Sequence, residues 1–333
     1  MRRWIALACM VMTVSGCENV AWGGVEVALQ APLPKAQPEV PDEAAEEANE
    51  EANLPPLPTG PLLLAGTRDG SSATLVLVGE IQPDGASLAP AELASESYRE
   101  RVQTQLLAPG TEFALFAEGV RVGRLVASDT GVDTRFCLPR PTVTGLVELN
   151  PAAMGAPRFL AVPVGTAEGV SREGYRGYSD DYDQRTSSLS LAARAITVVS
   201  AAWPPSLLES RADIQAFRLP DAGEPSFVAT FLHQDRMAVS EAGPGGYALL
   251  VVGEPRGSGY GLAYTWYRRV ADDGKGAPRY YGHLDWDGDG SSEILLDVFG
   301  TETRWFAGLD RQDGTWTRGF EDTCGGGPTT ADQ

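Results

Sequence analysis

Lysine and histidine are nearly missing from this 333-residue sequence, which holds Lys35 and Lys275, His233 and His283, and no others. Covalent catalysis through a lysine amine therefore has one candidate beyond the N-terminal segment. That residue, Lys275, sits in Asp272-Asp273-Gly274-Lys275-Gly276, which reads as a solvated turn. There is no His-Glu-x-x-His pair, no Gly-x-Ser-x-Gly elbow, no phosphate-binding P-loop and no Cys-x-x-Cys, so the enzyme classes built on those motifs have no support here. After the N-terminal run no stretch is long and apolar enough for a membrane helix. Positive charge is scarce as well: 26 Lys and Arg against 45 Asp and Glu give a formal charge of −19. Such a surface repels nucleic acid and anionic lipid, and it is compatible with a cationic protein or a glycan ligand.

At the N-terminus, Arg2 and Arg3 precede an apolar run from Trp4 to Val14, too short for a bilayer and suited to the core of a signal peptide. The run ends in Val14-Ser15-Gly16-Cys17, which resembles the lipobox of bacterial lipoproteins. The resemblance implies cleavage of residues 1–16, lipidation of Cys17, and an address in the bacterial cell envelope with the membrane as partner through the lipid. Each buried acyl methylene contributes about 0.8 kcal/mol to such an anchor. Glu18, where an Asp is associated with inner-membrane retention, leans the address towards the outer membrane, periplasmic or surface face. Residues 17–60 form an acidic, proline-rich stretch with Pro32, Pro34, Pro38, Pro41, Pro55, Pro56 and Pro58 around Asp42-Glu43-Ala44-Ala45-Glu46-Glu47. Such a stretch buries too little apolar surface to offset chain entropy, so a disordered tether is expected. Loss of Arg2 and Arg3 takes the charge from −19 to −21, and nine acids against Lys35 in the tether leave −13 on residues 61–333.

Of four cysteines, Cys9 leaves with the leader and Cys17 carries lipid, so Cys137 and Cys324 remain. In an exported chain a disulfide between them is expected. It would close a loop of about 190 residues and constrain the unfolded state by roughly 5 kcal/mol on the chain-entropy model. Two separately buried thiols are the alternative that spacing leaves open.

The remainder reads as mainly β: antiparallel sheets and meanders in two lobes with one or two helices. Residues 61–170 form the first β lobe, with runs at Leu62–Leu64, Thr74–Val78, Glu112–Ala117, Val120–Val126, Thr142–Leu149 and Phe159–Val164. Glu118-Gly119 sits between two of these runs as a hairpin turn requires. A helix is expected within 91–107. Residues 171–205 are a loop and a helix: Leu189, Ala193, Ile196, Ser200 and Trp203 follow helical spacing, Thr186 or Ser187 can cap it, and Pro204-Pro205 ends it. Ile196–Val199 is also open to a strand reading, and Asp180, Asp181 and Asp183 to a second cation site. Residues 206–324 are a second β lobe of closely spaced strands, and 325–333 a disordered tail. Thr265-Trp266-Tyr267 and Trp305-Phe306 read first as core or cross-strand packing, with glycan stacking the lesser reading.

Within the second lobe lies His283-Leu-Asp285-Trp-Asp287-Gly-Asp289-Gly290-Ser291-Ser-Glu293, continuing into Ile294-Leu295-Leu296-Asp297-Val298-Phe299. Alternating carboxylates, a glycine at the bend and a ninth-position carboxylate suit a hard cation with oxygen ligands. An EF-hand needs Glu at position 12 and then a helix; position 12 is Leu296, and Ile294 to Phe299 read as a strand. The loop and strand resemble the calcium loop of FG-GAP and VCBS-type repeats of integrin-like propellers. That resemblance implies calcium as cofactor, side-chain oxygens from Asp285, Asp287, Asp289 and Glu293, and the backbone carbonyl of Ser291. A solvated acidic turn is the plain alternative. Asp69-Gly70-Ser71-Ser72 before Thr74–Leu77 echoes Asp289-Gly290-Ser291-Ser292, yet a propeller needs recurring blades, so no complete propeller is expected. The functional expectation is an envelope-anchored, calcium-stabilised binding or structural module, not an enzyme. The alternative is a hydrolase using a carboxylate pair or metal-bound water, in which His283 assists.

Overall fold

A computed structural model describes residues 55–82, 87–88, 90–166, 174–219 and 223–325. The leader, Cys17, the tether up to residue 54 and the tail after Gly325 lie outside the described residues.

Strands β1 (Leu62–Asp69), β2 (Ser72–Ile81), β4 (Glu112–Ala117), β5 (Val120–Asp133), β6 (Arg140–Leu149) and β7 (Arg158–Pro163) form a closed antiparallel barrel in the order β1-β7-β4-β5-β6-β2, with β2 returning to β1. A two-residue β3 (Ser87–Leu88) adds to β2. Alternation along each strand sends Leu62, Leu64, Leu75, Leu77, Phe113, Leu115 and Phe159 to the barrel interior. Helix α1 (Glu96–Gln105), capped by the Ser95 hydroxyl accepting from the Tyr98 amide, adds Tyr98 and Val102 to that interior. Leu57 packs on the same cluster, Arg101 Nη1 donates to the Pro55 carbonyl at 3.0 Å, and the amides of Thr59 and Gly60 donate to Glu80. Residues 55–60 thus belong to the folded body rather than the tether, because Leu57 has a cleft to fill and the neighbouring backbone groups find partners.

Leu63, Ala65, Val76, Val78, Ala114, Phe116, Leu160 and Val162 point the other way and are buried too. Their cover is a middle sheet, the meander β12 (Ala277–Leu284), β13 (Glu293–Phe299), β14 (Arg304–Gln312) and β15 (Thr315–Glu321), which presents Tyr281, Leu284, Leu295, Phe306 and Phe320 to the barrel. Its opposite face, with Tyr280, Ile294, Leu296, Val298, Trp305 and Leu309, packs on an outer sheet. That outer sheet runs β8 (Arg211–Phe217), β9 (Ser226–His233), β10 (Tyr247–Arg256) and β11 (Gly259–Arg269) and inserts Phe217, Val228, Leu250, Val252 and Trp266. Helix α2 (Tyr182–Val198) covers its far side with Leu191, Ala192, Ala195 and Ile196 against Phe227, Phe231, Leu249 and Val251.

The order is therefore barrel, middle sheet, outer sheet, helix. The continuous apolar run of β13, rather than an alternating one, follows from burial on both faces. Trp266 and Trp305 serve the core, as their sequence context predicts. No propeller is present among the described residues.

Two local expectations change, at the helix cap and at Lys275, and between them the helical reading of Ile196 holds over its strand alternative. The second helix begins at Tyr182, and its cap is Asp181 rather than Thr186 or Ser187: Asp181 Oδ1 accepts from the Gln184 amide at 2.8 Å while the Gln184 side chain accepts from the Asp181 amide at 3.0 Å. Ile196–Val198 are helical, not a strand, because Ile196 fills the gap above the outer sheet. Lys275 is not solvated: its ammonium meets Asp235 at 2.6 Å and donates to the carbonyls of Arg236 and Ala238 and to Ser240 Oγ. The turn folds inward because the 235–240 segment supplies enough acceptors to bury the charge. An amine so occupied is no nucleophile.

The barrel and middle sheet are joined at one end. Cys137 and Cys324 are disulfide-bonded across 187 residues, and the Cys137 amide donates to the Arg304 carbonyl at 3.0 Å. Beside them Arg140, with no exposed surface, donates to the Val78 carbonyl at 2.8 Å and pairs with Asp322, which also accepts the Phe306 amide at 3.0 Å. Removing one member of such a pair strands the other. Asp322→Ala is expected to destabilise the protein by about 3–5 kcal/mol in urea denaturation, and Arg140→Met with Asp322→Leu to recover most of it. A loss below about 1 kcal/mol for the single change would show that the guanidinium is not committed to this pair.

Candidate functional site

The acidic loop joins β12 to β13. It brings Asp285, Asp287 and Asp289 together with one oxygen of each within 4.8 Å of the others. Local hydrogen bonds set this geometry: Asp285 accepts the amides of Gly288 at 2.8 Å and Gly290 at 3.1 Å, Asp287 that of Asp289 at 3.0 Å, and Asp289 that of Ser291 at 2.6 Å. Gly288 and Gly290 have φ of 81° and 91°, a backbone region that favours glycine. Burial, with the neighbouring Asp287 and Asp289 charges behind it, raises the Asp285 pKa.

Glu293, the expected fourth carboxylate, is not in the converged group. It is 3 % exposed, and its Oε2 accepts the Trp286 amide at 2.9 Å. Burial pushes its pKa up to about 9, with Asp287 and Asp285 adding to the rise. Ser291 is held to Asp289 through its amide. Three of the five expected ligands therefore converge, and the fourth carboxylate lies beneath them. Three carboxylate oxygens within 4.8 Å of one another can reach a single hard cation between them. Asp180 and Asp181 are otherwise engaged, with Arg185 and as the helix cap; among the described residues 285–289 is the cluster of metal-ligand type.

His283 is fully committed. Its Nδ1 lies 2.6 Å from the Tyr280 hydroxyl and its Nε2 3.0 Å from the Arg218 carbonyl. A carbonyl only accepts, so Nε2 carries the proton and Nδ1 accepts from the tyrosine. Burial pulls its pKa down to about 4. With no lone pair left, this neutral imidazole is not placed to assist a bound water. Tyr280 and His283 share a face three residues apart because the ladder slips between Tyr280 and Gly282, a bulge that breaks the two-residue alternation.

A second site was not foreseen from the sequence. Where the edge strands β12 and β8 meet the barrel, a cavity of about 200 Å³ is lined by Glu118, Arg158, Tyr175, Tyr178, Gln215 and Tyr280 among others. Glu118 and Gly119 form the β4–β5 turn with φ of 52° and 71°. Gly119 is required twice, for its φ and because a Cβ there would lie 2.9 Å from His283 Nε2. Glu118, a poor residue for positive φ, holds a buried Oε2 that has no hydrogen-bond partner. The legible signal was Glu-Gly in a turn that favours Asn-Gly or Asp-Gly.

Compared with protein-family models, curated proteins and solved structures, the chain shows no match. The likeness of loop 285–293 to FG-GAP and VCBS loops rests on its own residues.

Burial raises the Glu118 pKa from 4.5 to about 7, with Arg158 opposing. A folded carboxyl that holds its proton longer than the unfolded one destabilises the fold as pH rises, so stability falls between pH 4.5 and about 7 and stays reduced above it. Relative to Glu118→Gln, the wild type is expected to lose about 3 kcal/mol across that interval in denaturation series. A pH-independent difference between the two would mean that Glu118 titrates normally.

Proposed function

We propose that the protein is an envelope lipoprotein, anchored through Cys17, whose β body is a binding or structural module stabilised by calcium. The observation that carries the calcium reading is the convergence of Asp285, Asp287 and Asp289, with the buried Glu293 near enough to feel the charge of Asp287 and Asp285. Three carboxylates at such spacing repel one another, and a buried fourth is held neutral by burial. A cation removes both costs. Asp285, Asp287 and Asp289 would hold it, and the ion supplies positive charge that lets Glu293 ionise. Its role is structural, since the loop begins the strand on which both the barrel and the outer sheet pack.

A binding role is preferred to hydrolysis because the cavity beside β12 is lined by a single carboxylate, Glu118, whereas carboxylate-pair hydrolysis needs two. His283 and Lys275 are both spent on structural hydrogen bonds. No described helix is long and apolar enough to cross a membrane, so lasting membrane association in this reading falls to the lipid.

Calcium at one hundred times its dissociation constant is expected to stabilise the protein by about 2.7 kcal/mol. Calorimetric titration, and melts in calcium and in chelator, measure this. Asp287→Ala should abolish the response while its chelated melt equals or slightly exceeds the wild-type chelated melt. Identical wild-type melts in both buffers and no binding heat would reduce the loop to a turn.

Cys17→Ser is expected to move the protein from the membrane to the soluble fraction. Retention of the variant in membranes after a carbonate wash would refute the lipid anchor.

A further inference from the structure

The cavity at the β4–β5 turn is built from three separate parts of the chain and contains opposite charges that do not satisfy each other. Glu118 Oε2 is buried and accepts no hydrogen bond, and Glu118 forms no ion pair among the described residues. On another wall, Arg158 donates Nη1 to the Tyr280 carbonyl at 2.9 Å and lies over the Tyr281 ring, 5.5 Å from its centre. Those two contacts fix the half-buried guanidinium as a positioned donor, and its Nε and Nη2, which are not enclosed, are left for a ligand or solvent. A carboxylate without a donor and a guanidinium with donors to spare, in one recess, are each costly to desolvate.

The same recess is aromatic. Tyr175, Tyr178 and Tyr280 line it, and Tyr280 is held by His283, so that wall is rigid. Tyr175 lies near enough to Glu118 to feel its charge. At about 200 Å³ the space is below that of sites for drug-sized ligands and suits a small metabolite. Strain points the same way: Glu118 adopts φ of 52°, which costs a residue with a Cβ, at the position that sends its carboxyl into the recess.

We propose that this cavity binds a small zwitterion of the α-amino-acid class, its ammonium donating to Glu118 and its carboxylate accepting from Arg158, with the tyrosines around its side chain. An anion alone leaves Glu118 without a donor, and a cation alone leaves Arg158 without an acceptor; the two groups together are matched by a ligand bearing both charges. The inference rests on the reading of the β body as a binding module, and it is independent of calcium at loop 285–293.

The test uses the full chain and three probe sets at pH 7.5: L-amino acids, the amines that lack their carboxylate, and the acids that lack their ammonium. Calorimetry and thermal melts in calcium are expected to detect at least one L-amino acid, with the matching amine and acid each at least tenfold weaker. Glu118→Gln and Arg158→Met should each weaken the amino acid at least tenfold, while both variants keep the wild-type response to calcium as proof of folding. Equal binding of an amine or an acid overturns the zwitterion. Absence of binding by every L-amino acid at 10 mM (on the order of the weakest useful affinity) overturns the site, and the calcium response of the same sample reports separately on the calcium reading.

Discussion

Strand β13 is buried on both faces, and the order of the layers follows from that requirement. Leu295 faces the barrel and Leu296 the outer sheet, both without exposed surface. Neither face tolerates water, since each large apolar side chain gives up about 1.5–3 kcal/mol if exposed. The barrel and the outer sheet, the latter with helix α2 behind it, are therefore obligatory partners. The same strand carries Glu293 at its start and Asp297 in its middle, so two carboxylates enter the interior with it. Asp297 is compensated by Arg279 at 2.7 Å and by Arg304 at 3.7 Å. Glu293 has the Trp286 amide and otherwise a proton. The acidic loop stands immediately before this strand, beside its buried Glu293.

Charge inside this protein is carried largely as ion pairs, even where single atoms such as Arg140 Nε, Asp235 Oδ2 and Asp322 Oδ1 lack a hydrogen bond. Arg140 and Asp322, Lys275 and Asp235, and Arg268 and Glu321 are paired inside the body. Each pair links segments far apart in the chain, and the Cys137–Cys324 disulfide lies along the Arg140 seam. Such pairs add little net stability over apolar replacements, but a wrong packing would leave a buried ion unpaired. Lys275 belongs to one of these pairs, whereas His283 is held neutral between Tyr280 and the Arg218 carbonyl and His233 lies against Tyr247.

Glu118 departs from this pattern. It is a half-buried acid whose buried Oε2 meets no donor, and it stands on strained backbone at the mouth of a recess. Asp322 and Asp297 also have an oxygen without a hydrogen bond, but each is paired with an arginine, and Glu118 forms no ion pair among the described residues. The acidic loop and the recess share β12, whose bulge at Tyr281 sets Tyr280 and His283 on one face.

Much of this architecture was legible in the sequence. Two-residue alternation marked the strands, Glu118-Gly119 marked a tight turn with both residues at positive φ, and the spacing of Asp285, Asp287 and Asp289 marked a loop whose carboxylates converge. Setting Cys9 and Cys17 aside on the leader and lipobox readings pointed to the pair that is bridged. These features are local, or follow from elimination, and local steric and hydrogen-bonding rules act without regard to the rest of the chain. Barrel closure by β1 with β7, the inward fold of Lys275, the withdrawal of Glu293 from the carboxylate cluster and the recess around Glu118 were decided only in three dimensions. Each depends on which distant segment covers a side chain, and the free energy of a charge is set by that cover rather than by its neighbours in sequence.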